Sequence, residues 1–177
     1  MRNAMEAAAE QGHADVVKIL LNFGASPSAR LGNHPFAIQL AATGGHVNIV
    51  RLLIEAGEYP DRCSARPAGG SFSPLQAAAL YDNVDLAALL LAKGARVNHR
   101  SASGDTPLEL AVMKKSVQCL KVLLEAGAKV YGKDHRHVRH HALEWAKRLG
   151  HEQCLELLKN ENVHVYLSEE DARFTKY

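Results

Sequence analysis

Hydrophobic and polar positions alternate in a fixed pattern between Gly104 and Gly127. Leu108, Leu110 and Ala111 form a short apolar face at helical spacing, and Cys119, Leu120, Val122, Leu123 and Leu124 form a second one. Between them lies the polar break Lys114–Ser116. Thr106 is a good N-cap, Pro107 suits the first helical position, and Glu109 completes a capping box with Thr106. Gly127 supplies a helix stop. The pattern predicts two helices joined by a turn. Both are too short to stand alone in water, so each needs a neighbour over its apolar face.

The unit recurs. Its helix-start position is held by Asn3, Phe36, Ser73, Thr106 and His141, spaced 33, 37, 33 and 35 residues apart. Thr106-Pro107-Leu108, Ser73-Pro74-Leu75, the Gly-His pairs at Gly12, Gly45 and Gly150, and the Leu-Leu-x-x-Gly endings at Leu20, Leu90 and Leu123 keep register with it. With this period the chain resembles the ankyrin repeat family over about residues 1–162. The resemblance implies an all-α solenoid of stacked helix-turn-helix units with short β-hairpin or turn fingers. Approximate repeat bounds are 1–29, 30–66, 67–99, 100–134 and 135–162, followed by a tail or short extra helix at 163–177.

The histidine usual in the family after Thr-Pro-Leu is missing from every copy. Glu6, Gln39, Gln76, Glu109 and Glu144 replace it, so capping boxes are expected five times, at about 0.5–2 kcal/mol per cap. Asp82 and Lys115 stand where other copies have the turn glycine, which predicts strained or tighter turns. Arg2, Glu6, Glu10 and Gln11 give the first helix a polar side, as a terminal repeat needs. Lys159 replaces an apolar residue in copy five and marks a C-terminal cap. The insert Glu58–Phe72 reads as an irregular, exposed loop, with Cys63 exposed on it. Cys119 and Cys154 share one register position and read as core, as does Trp145. His13, His46 and His151 read as turn-stabilising, and Asn98 as a finger residue that bonds backbone.

Composition narrows the function. Lys plus Arg is 21 and Asp plus Glu is 19, and a net charge of +2 asks for neither nucleic acid nor an anionic membrane. Three cysteines do not make a disulfide framework and suit a reducing, intracellular compartment, the cytoplasm or nucleus. The longest apolar run, ending at Ala92, is far too short to span a bilayer. There is no phosphate-binding glycine loop and no G-x-S-x-G motif, so an enzyme, a cofactor or a small-molecule substrate is not expected. A monomer is expected.

The resemblance implies a protein-binding scaffold or adaptor that docks a partner protein or peptide on the concave face, made by finger tips and first-helix edges. Mapped here, the partner-binding positions are Phe72, Leu80, Tyr81, Asp105, Met113, Lys114, His137, His140, Arg148 and Leu149. Phe72, Leu80, Tyr81, Met113 and Leu149 are apolar where polar residues are usual. They form a partner stripe, or the Glu58–Phe72 insert folds back over Leu80 and Tyr81. The histidine-rich finger His135–His141 lacks a cysteine or carboxylate to complete a metal site, and reads as a solvated basic finger. A regulatory or substrate-recruiting domain of a larger enzyme is the alternative, and a metal-responsive sensor the third reading.

Overall fold

The computed structural model describes residues 3–30, 34–64, 72–100, 104–130 and 142–160. Among these lie ten helices: α1 (Ala4–Gln11), α2 (Ala14–Asn22), α3 (Ala37–Thr43), α4 (Val47–Glu55), α5 (Pro74–Leu80), α6 (Val84–Ala92), α7 (Pro107–Lys114), α8 (Val117–Glu125), α9 (Ala142–Leu149) and α10 (Glu152–Asn160). They make five helix-turn-helix pairs. First helices pack on first helices, from α1 against α3 to α7 against α9, and second helices on second helices, from α2 against α4 to α8 against α10. The result is a two-layered all-α solenoid. The fingers carry turns, and no strand occurs among the described residues.

Recurrence in sequence becomes recurrence in packing. Leu53, Leu90, Leu123 and Leu158 occupy one register position and are at most 1% exposed. Burying each contributes about 1.5–3 kcal/mol. Ala41, Ala78, Ala111 and Ala146 are fully buried at another, where a small side chain lets first helices approach closely. Cys119 and Cys154 are likewise fully buried, and Trp145 packs half-buried against the core.

The capping boxes differ between copies. Asn3, Ser73 and Thr106 accept from the backbone N–H of Glu6, Gln76 and Glu109 at 2.7, 3.3 and 3.2 Å, and each glutamate or glutamine accepts in return from the cap residue's N–H. Phe36 has no side-chain acceptor, so the second copy keeps half a box, in which Phe36 N–H donates to Gln39 Oε1 at 3.1 Å. The fifth cap position, His141, lies outside the described residues.

The two glutamines do more than cap. Gln39 Nε2 donates to the Phe72 carbonyl, and Gln76 Nε2 to the carbonyls of His99 and Asp105. Their amides thus tie helix starts to fingers, a link that the carboxylates of Glu6 and Glu109 cannot donate.

Turns are locked between repeats. Gly12 is left-handed at φ 79°, and a Cβ there would meet the His46 ring at 2.6 Å. That ring reaches the Glu10 carbonyl at 3.1 Å, and His151 Nδ1 reaches the Val112 carbonyl at 2.8 Å. These histidines therefore staple one repeat to the preceding one as well as stabilising a turn. Asp82 and Lys115 adopt φ 52° and 58°, the left-handed conformation that non-glycine residues rarely take. Asp82 has a use there: its Oδ1 accepts from Cys119 N–H at 2.8 Å, capping the start of α8, whose own Ser116 makes no side-chain cap.

Two expectations are corrected. Glu6 is fully buried, because the capping box folds its carboxylate inward, so it is not part of a polar outer side of α1. The insert is not uniformly exposed: Glu58 and Ser64 are buried at 3% and 5%, and Cys63 is half-buried. Glu58 Oε1 holds Arg62 and the Tyr59 N–H, while Gln39 Oε1 accepts from Ser64 N–H.

Candidate functional site

The helix-turn-helix unit places two residues per repeat at the C-terminal end of each first helix. One row reads Glu10, Thr43, Leu80, Met113, Arg148 and the next Gln11, Gly44, Tyr81, Lys114, Leu149. Both change character along the array, from polar in the first two copies to apolar and cationic in the last three. Tyr81 caps α5 immediately before the left-handed Asp82, and the turn leaves its ring 62% exposed. Leu149 is 44% exposed, Lys114 and Arg148 are exposed, and Leu80 and Met113 are half-buried. Exposed Lys115 and Lys147 add cations beside them. The Arg148 guanidinium lies over the Trp145 ring, 5.2 Å from its centroid, which orients it on α9.

Phe72 and Asp105 are brought in differently. Both are half-buried, and their carbonyls accept the glutamine bonds described above. Their backbone positions the fingers against α3 and α5. His137 and His140, together with the rest of the histidine-rich finger, lie outside the described residues.

A second cluster, between the fingers of copies two and three, escaped the sequence reading. Tyr59, Asp61, Arg62, Cys63, Arg96 and His99 line an open groove of about 380 Å³. Asp61 accepts from Arg96 N–H and pairs with its guanidinium at 2.9 Å. Asn98, in the same register, accepts from Lys129 N–H at 2.8 Å, so both residues staple one finger to the next. Cys63 Sγ sits 3.8 Å from His99 Nε2. Burial, followed by the charge of Asp61, raises the Cys63 thiol, and burial lowers the His99 imidazole. Both groups are neutral at pH 7. Their contact is a weak neutral bond, not the thiolate–imidazolium pair that nucleophilic catalysis uses. The signal available in sequence was the recurrence of an Asx four residues after the stop glycine, at Asp61 and Asn98.

Among the described residues no group of three or more His, Cys, Asp or Glu side chains could hold a metal ion. No helix among them is long and apolar enough to cross a membrane.

Comparison with known proteins agrees with the repeat geometry. The family model for ankyrin repeats, in three copies, matches residues 4–101 and 62–134. Human ankyrin repeat and SOCS box protein 16 is 43% identical over 61 residues, a stretch covering 34% of this chain. The same stretch covers 14% of that relative's own length.

Proposed function

The chain belongs to the ankyrin repeat family, and from that premise we propose that it is a non-catalytic adaptor docking a partner protein or peptide along the C-terminal ends of α5, α7 and α9. Ankyrin repeats are generally protein–protein interaction modules. The observation that carries this reading is the exposed Tyr81 ring, in line with Lys114 and Leu149 and beside Leu80, Met113 and Arg148. Tyrosine buries a large, stiff surface at little entropic cost and is enriched where interfaces hold most of their energy. Lys114, Lys115, Lys147 and Arg148 surround the apolar residues, so the complementary segment is apolar with acidic flanks. Tyr81 and Met113 form its seat, rimmed by Lys114, Asp105 and Arg148, and the array acts in an intracellular compartment as a monomer.

The test is capture of partners by the wild-type chain beside a Tyr81→Ala/Met113→Ala variant. The partner is lost, at about 2 kcal/mol or more per hot-spot residue, while the melting temperature holds. Unchanged capture by the folded variant contradicts the reading, and a collapsed melting temperature assigns both side chains to packing.

A second reading is supported by the relative's name, which pairs ankyrin repeats with a SOCS box. In it the same face recruits a substrate to a larger protein or enzyme. A partner that is released unmodified from this array but processed by the full-length protein distinguishes it.

A further inference from the structure

The finger of the second copy departs from its register at one buried position. Ala25, Ala95 and Ala128 follow the stop glycine in three other copies, and Glu58 stands in their place with its side chain fully buried. A buried carboxylate is costly unless it is paired. This one holds Arg62: its Oε1 accepts from Arg62 Nε at 3.0 Å and from Tyr59 N–H at 2.9 Å. The Arg62 guanidinium also lies over two aromatic rings, 5.2 Å from the Phe36 centroid and 5.3 Å from that of Tyr59. One ion pair and two rings thus set the plane of the guanidinium. They leave its outer fork unused, since among the described residues neither Nη nitrogen of Arg62 donates to an acceptor. The adjoining stretches 31–33 and 65–71 contain no aspartate or glutamate to take it.

The facing wall of the same groove carries Arg96. Its Nε pairs with Asp61, and its Nη2 donates to His99 Nδ1 at 2.8 Å. A guanidinium can only donate, so Nδ1 is the acceptor and the imidazole is neutral. Arg96 is held in place by these bonds, and its Nη1 meets no acceptor among the described residues. Arg100 lines the adjoining groove together with Arg96 and His99, and Arg30 stacks 4.6 Å from the Phe36 centroid. Four arginines therefore surround two carboxylates, Glu58 and Asp61, an excess of two positive charges.

We propose that this groove binds a phosphate monoester carried on a side chain of a partner protein. The Arg62 fork takes two phosphate oxygens bidentately, and Arg96 contributes the second charge. A planar guanidinium oriented in advance loses little freedom on binding, and paired N–H donors match phosphate geometry. The excess of two cations balances a phosphate dianion. A nucleic-acid strand fits poorly, because the Asp61 carboxylate lies in the groove and the whole chain carries a net charge of only +2. The groove is open, and the Tyr59 ring, 68% exposed at its edge, offers apolar contact to residues flanking the phosphate. The site shares no residue with the Tyr81 face, so either can fail alone.

The test is an NMR titration of the full chain, following the Arg62 Nε–H signal. The probes are N-acetyl phosphoserine amide and N-acetyl phosphotyrosine amide, beside N-acetyl glutamate amide and inorganic phosphate. At least one phosphorylated residue shifts the Arg62 signal in a saturable way and binds about tenfold or more tighter than the glutamate. Arg62→Lys keeps the charge but not the fork, and weakens that binding about tenfold or more. Should this variant fold poorly, Tyr59→Ser removes one exposed ring and weakens binding severalfold while the melting temperature holds. The proposal is overturned if neither phosphorylated residue binds, or if the folded Arg62→Lys or Tyr59→Ser variant binds as the parent does. Equal affinity for the glutamate would make this a carboxylate site, and equal affinity for inorganic phosphate a free-anion site; both results also overturn it.

Discussion

At the C-terminal end of the array, Lys147 stands where Ala9, Ala42, Ala79 and Val112 are at most 1% exposed, and Lys159 stands where Leu21, Ile54, Leu91 and Leu124 are half-buried. Both lysines are exposed. At the N-terminal end the corresponding outward positions keep alanine, valine and isoleucine. One end has replaced its stacking residues by charge and the other has retained them. Since the helix-turn-helix unit is otherwise the same, the two ends differ in the charge and exposure of these residues and not in architecture. A lysine is tolerated where water reaches it, and an aliphatic residue is favoured where another helix covers it.

The strongest way to break this contrast is to move the terminal residue inward. Ala79→Lys puts the ammonium of the Lys147 register into a junction where alanine is 1% exposed. It should cost about 3–5 kcal/mol in urea unfolding, as an unpaired buried charge does. Lys147→Ala should change stability by no more than about 0.5 kcal/mol. Next in size, Ile49→Ala should cost about 2–5 kcal/mol, while Val16→Ala in the same register should cost no more than about 0.5 kcal/mol. Equal losses for this second pair would mean that the first repeat is covered as well as the interior ones.

Smaller effects sharpen the account of the junctions. Asp82→Ala removes the acceptor for Cys119 N–H and should cost about 1 kcal/mol, whereas Asp82→Asn keeps the acceptor and should cost less. The same junction gives an alkaline signature. Burial first, then the Asp82 charge, pushes the Cys119 thiol up to about 12. Its folded value exceeds its unfolded one, so the stability it contributes is complete below about pH 8.5 and falls as pH rises toward the folded value. Cys119→Val should flatten the decline of melting temperature above that pH and leave its slope near pH 7 unchanged.

The sequence makes the repeats legible because caps and apolar stripes are local. Thr106 and Glu109 are three residues apart, and their bond can be read from types alone. Phe36 shows the limit: its register implied a cap, but its side chain has no oxygen or nitrogen to accept a hydrogen bond. Glu6 shows another, since a carboxylate at that position looks like surface until the box folds it inward. The staples from Asp82 to Cys119 and from His151 to Val112 join residues 37 and 39 apart. They depend on stacking, which no single unit contains. Cys63 and His99 meet for the same reason, across 36 residues. At the candidate binding face, the apolar and cationic residue types could be read in advance. The exposure of Tyr81 beside half-buried Leu80 and Met113 could not, because it depends on how the turn at Asp82 closes.

The asymmetry of the two ends can be tested at one register position. Val16, Cys119 and Cys154 are equivalent, and the latter two are fully buried thiols. In a Cys63→Ser background, a Val16→Cys variant can be challenged with a thiol-specific reagent under native conditions. The open-face account predicts that the cysteine at 16 reacts at a rate near that of a small free thiol, while Cys119 and Cys154 stay silent until the chain unfolds. Protection at 16 equal to that of Cys119 would contradict it.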